Sequence, residues 1–195
     1  SIRASISRRR VWNSAGRSGA ARESKYAAWV ESIAEEGTEG QTGSGYGFSR
    51  LFDALSSRAV AAEAAGKAIR MLGARPLRTG RYAAILENAA AAELLEVLAP
   101  SFLASNVAKG RSILAGLLGK AVASPVLRIC DDPLDASGSG AAAFDGEGTA
   151  CRRNVLVEGG VLKGFLADAF WGRKLGTGTT GSSRRISPKM PPMVG

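Results

Sequence analysis

The sequence contains no histidine. Without an imidazole, this chain alone cannot build a Ser-His-Asp triad, a Cys-His dyad or a histidine-ligated zinc site. It has only two cysteines, Cys130 and Cys151, so a disulfide scaffold is excluded. Sparse cysteine suits a reducing cytoplasm, where we expect both thiols to stay unpaired. Their spacing is not that of a zinc finger, and we expect no metal site in this chain.

Long apolar runs are also missing from the sequence. No stretch of about 18 uncharged apolar residues is present, which predicts that no helix crosses a membrane. The opening residues, Ser1–Ser5, lack the continuous apolar segment of a secretory signal. Hydrophobic residues nevertheless make up 45% of the chain and charged residues 22%, which is typical of a globular protein and excludes disorder as a description of the whole.

Acidic residues are outnumbered, with 17 Asp and Glu against 26 Lys and Arg and a net charge of +9. Such an excess attracts phosphates, acidic membranes or an acidic protein without deciding between them. The arginines cluster at Arg8–Arg10, Arg152–Arg153 and Arg184–Arg185. These clusters fall on separate predicted elements, and aromatic residues are only 6% of the chain. Solvated or partner-facing arginines are therefore favoured over a nucleic-acid interface.

The first part of the chain predicts β structure followed by a helix. Residues 1–36 have the character of strands, with a turn at Asn13–Gly16. Gly37–Gly47 holds five glycines and predicts a loop or a flexible edge. Small apolar residues at helical spacing predict a helix from Ser57 to Leu72, ended by Gly73. A boundary at Gly73–Gly80 then gives two units, 1–78 and 79–195.

The second unit mixes short strands and helices, and its clearest signal is a hairpin. Two apolar runs between Asn154 and Leu166 are joined by Gly159-Gly160, which accept positive φ at low cost. Grouped strands and hairpins predict an α+β fold with mostly antiparallel sheets and flanking helices. The other predicted elements are a strand at Arg81–Leu86, a helix around Ala91–Leu98 that Pro100 ends or kinks, a helix at Ser112–Leu118, a strand at Val126–Asp131, a helix at Asp168–Leu175 and a loop from Gly176 to Gly195.

Paired carboxylates are the main candidates for chemistry within the chain. Asp131-Asp132 and the pair Asp145 and Glu147 could form an acid/base pair or a cation site. The alternative is turn chemistry, because Asp132 precedes Pro133 and Asp145 precedes a glycine. We favour turns, since no neighbour that would shift a pKa is identifiable in the sequence. The glycine-rich stretches lack the pattern of a phosphate-binding loop.

Several motifs together resemble the TldD/PmbA family of peptidases. The specific part is the order of Phe144–Thr149, the hairpin segment Arg153–Leu166, then Arg173–Gly176 and Thr180-Gly181. Weaker resemblances lie at Gly80–Tyr82, at Gly110–Ser112 and at Asp131–Pro133. The family implies a longer protein, with this chain as a middle-to-late segment lacking both ends. It also implies that 1–78 is a truncated α+β unit and that 79–195 is a truncated β-rich, barrel-like unit.

The resemblance distinguishes two paralogous kinds of subunit. The TldD kind carries a His-Glu-x-x-x-His zinc motif on a helix, whereas the PmbA kind, also called TldE, lacks it. In this chain Leu95 and Pro100 fall where the two histidines would be, and Glu96 falls on the glutamate. The chain therefore looks like a PmbA-type subunit without catalytic residues or metal of its own. Zinc is expected in the partner subunit.

The function implied by the resemblance is that of a non-metal-binding subunit in a bacterial, cytoplasmic metallopeptidase complex that processes or degrades peptides. Its partners would be a TldD-like catalytic subunit, or a second copy in a homodimer, and an extended peptide in a shared cleft. The expected peptide-binding or interface residues are Asp145, Glu147, Arg152, Arg153 and Gly181. The alternatives are a basic nucleic-acid-binding module and a self-associating structural scaffold without a proteolytic role.

Overall fold

The computed structural model describes residues 1–14, 16–185 and 190–194. The chain divides into two compact units. The first comprises Ser1–Arg9 and Ala21–Ala83, and the second comprises Arg10–Ala20 and Ala84–Gly195. Both contain strands and helices, and their paired strands are antiparallel. The predicted α+β class with antiparallel sheets and flanking helices is thereby confirmed.

The sheet of the first unit is built from three long strands, β1 (Ile2–Trp12), β2 (Ser18–Glu36) and β3 (Glu39–Ser49). They lie in the order β1-β2-β3, so β2 is central. The pairing of β2 with β3 is continuous from Tyr26 opposite Ser49 to Glu36 opposite Glu39. The β structure predicted for residues 1–36 is confirmed, and Asn13 closes the turn by donating its backbone N–H to the Arg17 carbonyl at 3.1 Å.

The prediction that Gly37–Gly47 forms a loop or a flexible edge is wrong, because most of this stretch is β3. Its glycines allow a helix to pack directly on the strand. A Cβ at Gly43 would collide with the Ala64 carbonyl oxygen, and a Cβ at Gly45 would collide with the Val60 carbonyl oxygen. Glycine in a strand therefore marks a close approach of two backbones here, not flexibility.

The helix that packs on β3 is α1 (Ser57–Met71). Its buried residues, Val60, Ala64 and Ala68, recur every fourth position and form one face. The Ser56 hydroxyl caps the helix by accepting the N–H of Ala59 at 3.2 Å, and Gly73 follows the helix with φ of 71°. The predicted helix and its glycine stop are confirmed.

The second unit combines short helices with two small sheets. Strands β4 (Ile129–Asp131), β5 (Asn154–Glu158) and β6 (Val161–Leu162) form one antiparallel sheet. Strand β7 (Ser183–Arg184) pairs with β8 (Met193–Val194) in another. The core cluster of Phe102, Leu114, Leu156, Val157 and Leu162 includes residues of the three-stranded sheet, from β5 and β6. The helices of this unit are α2 (Asn88–Leu98), a 3-10 helix (Ala99–Phe102), α3 (Ala104–Ala108) and α4 (Ala169–Leu175).

The predicted Gly-Gly hairpin is confirmed as β5 and β6, with φ of 57° at Gly159 and 73° at Gly160. The helix predicted at Asp168–Leu175 is confirmed as α4. Gly176 ends it in the left-handed conformation, with φ of 71°. Pro100 lies beyond the end of α2, in the 3-10 helix that follows, which agrees with its predicted helix-ending role.

Three other predictions for this unit are wrong in part or in whole. Residues 81–86 form no strand, and residues 112–118 form turns rather than a helix. In these turns the Ser112 hydroxyl accepts the N–H of Leu114 at 3.0 Å and donates to the Ser101 carbonyl at 2.6 Å, and such local bonds compete with a helix. The tail predicted as loop contains β7 and β8, while Ile186–Lys189 and Gly195 lie outside the described residues.

No helix in the described ranges has both the length and the apolar character needed to cross a bilayer.

The close packing of α1 on β3 predicts that Gly45→Ala destabilises the chain. A methyl group there meets the Val60 backbone, so we expect the free energy of unfolding to fall by about 1–3 kcal/mol. Gly40→Ala, in the same strand, is the matched control, because its Cβ would lie 4.0 Å from the nearest side-chain atom, Cγ of Glu35. Urea unfolding followed by circular dichroism measures both variants. Equal stability of the two would contradict the packing argument.

Candidate functional site

The carboxylate of Asp145 is the centre of a polar layer in the second unit. Asp145 is only 4% exposed, and its Oδ1 accepts the backbone N–H groups of Glu147 at 2.9 Å and Thr149 at 2.8 Å. Its Oδ2 accepts the N–H of Ser183, in β7, at 3.2 Å. A buried carboxylate that accepts several N–H groups fixes the surrounding backbone. The turn interpretation is therefore confirmed for Asp145.

Gly146 lets the Asp145 loop lie directly against β7. Its N–H donates to the Ser183 carbonyl at 2.7 Å, and a Cβ at this position would lie 2.9 Å from the backbone nitrogen of Arg185. A side chain at position 146 would therefore push the loop away from the strand.

Glu147 connects the same loop to the start of α4. Its Oε2 accepts the N–H of Ala169 at 2.9 Å. Burial raises the pKa of Glu147 above its ordinary value of 4.5, and the carboxylates of Asp145 and Asp168 raise it further, while the Ala169 N–H and Arg185 lower it. The sequence interpretation identified no neighbour able to shift a pKa, and for Glu147 that was wrong. The perturbing groups come from three separate segments, which sequence spacing does not bring together.

Gly181 closes this polar layer through a second tight backbone approach. It has φ of 73°, and a Cβ there would lie 2.7 Å from the Ala150 carbonyl oxygen. Its own carbonyl accepts the thiol of Cys151 at 3.4 Å, and its N–H donates to the Thr179 hydroxyl at 3.2 Å. Gly181 is buried, so its contribution is to hold residues 179–183 against residues 150–151.

Arg152 and Arg153 differ from the other expected site residues because their side chains are exposed. The Arg152 guanidinium donates to the Thr179 carbonyl at 2.6 Å. Arg153 lies 3.5 Å from the Asp132 carboxylate and donates to the thiol of Cys130 at 3.8 Å. Its side chain is 52% exposed, and a surface ion pair of this kind contributes little to stability. Both guanidinium groups therefore remain accessible to another molecule.

Two residues of the polar layer were not singled out from the sequence. Asn154 donates from Nδ2 to Oδ2 of Asp131 and to the Arg152 carbonyl, both at 3.0 Å. Asp168 is 2% exposed and caps α4 by accepting the N–H of Trp171 at 2.7 Å. An Asp directly before an apolar helix is a recognisable cap signal. Asn154 offers no comparable signal, because its partners come from distant parts of the chain.

The donor set of α2 does not fit zinc. Leu95 and Pro100 have no side-chain lone pairs, and the two glutamates of α2, Glu93 and Glu96, are exposed carboxylates with no imidazole beside them. In the residues that the structure describes, no group of three or more His, Cys, Asp or Glu side chains could hold a metal ion. The buried carboxylates of Asp145 and Asp168 instead accept backbone N–H groups.

Comparison with known proteins assigns both parts of the chain to one family. A family model described as the PmbA/TldA metallopeptidase C-terminal domain matches residues 79–195, and one described as the central domain matches residues 1–72. A metalloprotease of Methanothermobacter thermautotrophicus is 30% identical over 83% of this chain. A TldD homologue of Buchnera aphidicola is 39% identical over 44% of this chain. The chain spans 37% and 18% of these two relatives' lengths.

Solved structures agree with this assignment. A Thermotoga maritima protein, described as a candidate modulator of a DNA gyrase, has a TM-score of 0.90 and 28% identity, covering 95% of this chain and 43% of its own. TldE from Thermococcus kodakarensis has a TM-score of 0.85 and 25% identity, covering 98% of this chain and 44% of its own.

The raised pKa of Glu147 predicts a specific pH dependence of stability. Because the folded pKa lies above the unfolded one, the protonated form favours folding, and this contribution is lost as pH rises from about 4.5 through the folded pKa. Glu147→Gln keeps an acceptor for Ala169 without gaining the charge. We expect its free energy of unfolding, relative to wild type, to rise over that window. Urea unfolding between pH 4 and 8 measures this difference.

Glu96→Gln on the exposed α2 is the matched control for that series. If the difference in free energy of unfolding between Glu147→Gln and wild type does not change with pH, the raised pKa of Glu147 is contradicted.

Proposed function

This chain belongs to the TldD/PmbA family of metallopeptidases, and we propose that it acts as the non-metal-binding subunit of a two-subunit peptidase. The observation that carries the proposal is the donor chemistry at the end of α2, where Leu95, in the helix, and Pro100, just beyond it, stand at the positions that the family resemblance gives to zinc-binding histidines. The chain contains no histidine that could take the place of these two residues. A catalytic zinc needs three protein ligands and an open position for water, whereas α2 supplies two carboxylates, those of Glu93 and Glu96, and no imidazole.

The proposed mechanism is a division of labour between two polypeptides. A TldD-like partner supplies the zinc and the activated water, and this chain supplies part of the cleft that holds an extended peptide. Extended peptides bind through backbone hydrogen bonds, which tolerate many side chains and suit a complex that processes or degrades different peptides. The complex is proposed to act in the cytoplasm, where thiols such as those of Cys130 and Cys151 stay reduced.

Among the expected site residues, the accessible ones carry the proposed contacts. Arg152 and Arg153 directly precede β5 and present guanidinium groups at the surface. They can pair with a carboxylate of the peptide or of the partner subunit. Asp145 and Gly181 are buried and act as positioning residues, since they hold the loop that precedes Arg152 against residues 179–183. Glu147 is intermediate in exposure and forms the edge of this layer.

The hairpin that follows has a more limited role than its family-like sequence indicates. Its residues Leu156, Val157 and Leu162 are each 5% exposed or less and belong to the core. The hairpin therefore contributes to the core, and the residues before β5 are the proposed contact surface.

The test combines this chain with a histidine-bearing TldD-like subunit from the same cell. We expect peptide cleavage that a chelator abolishes, and we expect the combination to exceed the sum of the separate subunits by at least about tenfold. Co-elution on size exclusion should accompany this gain. Failure of the two chains to associate or to gain activity would overturn the proposed role and leave a self-associating scaffold as the alternative.

Variants of this chain locate its contribution within that assay. Arg152→Ala with Arg153→Ala should raise KM or weaken association at least about fivefold, because two charge-assisted contacts are removed. Glu96→Gln is the matched control, and we expect unchanged kcat, since Glu96 takes no part in the chemistry. A large loss of kcat in Glu96→Gln would show that this helix acts in catalysis.

A further inference from the structure

The side-chain amide of Asn154 joins three separate segments of the second unit. Asn154 is the first residue of β5 and lies directly opposite Asp131, the last residue of β4. Besides donating to Asp131 and to the Arg152 carbonyl, its Nδ2 lies 3.3 Å from the Thr180 carbonyl oxygen and 3.5 Å from Oγ of Ser182. The amide therefore links the end of β4, the residues before β5 and the segment that leads into β7.

The surroundings of Nδ2 require a hydrogen-bond donor. Asp131 contributes a carboxylate oxygen, and Arg152 and Thr180 contribute carbonyl oxygens. An asparagine amide presents two N–H groups from this atom, whereas an aspartate of the same shape presents only acceptors. A carboxylate at position 154 would therefore face a second carboxylate and two carbonyl oxygens.

This amide holds both ends of the contact that Arg152 makes. Nδ2 of Asn154 donates to the Arg152 carbonyl at 3.0 Å, which fixes the backbone from which the arginine side chain starts. At the other end, the guanidinium donates to the Thr179 carbonyl at 2.6 Å. The next carbonyl along that segment, that of Thr180, again accepts from Nδ2. One side chain thereby sets the distance between the start and the end of the Arg152 side chain.

Arg153 depends on the same amide through the end of β4. Oδ2 of Asp131 accepts from Nδ2 of Asn154 at 3.0 Å, and the next residue, Asp132, lies 3.5 Å from the Arg153 guanidinium. An ion pair as exposed as this one is weak by itself. Its geometry therefore follows from how the end of β4 is held against the start of β5.

We propose that Asn154 is a positioning residue that holds the guanidinium groups of Arg152 and Arg153 where they contact the peptide or the partner subunit. The inference rests on the proposed function of these two arginines. Long side chains lose rotamer freedom when they bind, and anchoring them beforehand reduces this cost. Asn154 contacts neither the peptide nor the zinc, so its removal acts on binding and leaves kcat unchanged.

The first test measures kcat, KM and the Kd of subunit association in the assay with the TldD-like subunit. Asn154→Ala should raise KM or the Kd at least about fivefold with unchanged kcat, because the arginines remain but lose their anchor. Asn106→Ala is the matched control, since it also removes an Nδ2 donor from a backbone carbonyl, that of Pro100. We expect all three constants of the control to match wild type.

A double-mutant cycle shows whether Asn154 acts through the arginines. When Asn154→Ala is added to Arg152→Ala with Arg153→Ala, we expect no further rise in KM or Kd, because no guanidinium is left to position. Effects that simply add would overturn the proposal. So would an Asn154→Ala variant that keeps the wild-type KM and Kd, or one that loses kcat.

Asn154→Asp, with and without Asp131→Asn, separates position from charge. The single variant adds a carboxylate near the arginines. The double variant restores the net charge and one donor–acceptor pair, but it does not restore the donors to the Arg152 and Thr180 carbonyls. We expect KM or Kd to stay raised in both variants. Recovery in the double variant would show an effect of charge alone and would overturn the positioning role.

Hydrogen exchange in the unaltered chain tests the anchoring without any variant. In NMR spectra of the chain with isotope-labelled asparagine, the Nδ2 protons of Asn154 should exchange at least about tenfold more slowly than those of the exposed Asn88. Equal rates would overturn the proposal, whether or not the variants fold. Slow exchange in a chain that gives no activity with the TldD-like subunit would support the anchoring and contradict the proposed function.

Discussion

The buried carboxylate of Asp145 accepts three backbone N–H groups, and the arrangement of the polar layer depends on these bonds. Removing the carboxylate would leave these buried N–H groups without an acceptor. The desolvation penalty of unpaired buried donors exceeds the net stabilisation that the hydrogen bonds provide. Because Asp145 fixes the loop that carries Glu147, it also fixes the contact of Glu147 with the start of α4. Gly146 and Gly181 complete this arrangement by letting backbones meet where a side chain would not fit. The exposed Arg152 and Arg153 are positioned by this rigid support.

The sequence predicts those parts of the fold that local interactions determine. The Gly159-Gly160 hairpin, α1 with its glycine stop and α4 follow from turn chemistry and helical periodicity. β3 was missed because its glycines have a reason only in the presence of α1, which packs against their backbone. The turns at residues 112–118 replace a helix because the Ser112 hydroxyl binds backbone groups instead. The local sequence pattern reveals neither the packing of α1 on β3 nor the backbone contacts of the Ser112 hydroxyl.

The candidate site also combines features that the local sequence predicts with features that arise only in the tertiary structure. Asp145 before Gly146 identified a turn, and the structure has one. The raised pKa of Glu147 arises from Asp145 and Asp168, together with burial by segments that are distant in sequence. Asn154 likewise gains its role only from the tertiary structure, through contacts with Asp131 and the Arg152 backbone. Family resemblance pointed to this region because it preserves the order of motifs, without specifying what each residue contacts.

Membership of a metallopeptidase family and the absence of histidine from the chain together support the central proposal, that hydrolysis requires a second polypeptide. The most direct measurement is the zinc content of the purified chain after dialysis against micromolar zinc. The account predicts substoichiometric zinc and no chelator-sensitive peptide cleavage by the chain alone. About one tightly held zinc ion per chain, lost together with peptide cleavage when a chelator is added, would contradict it.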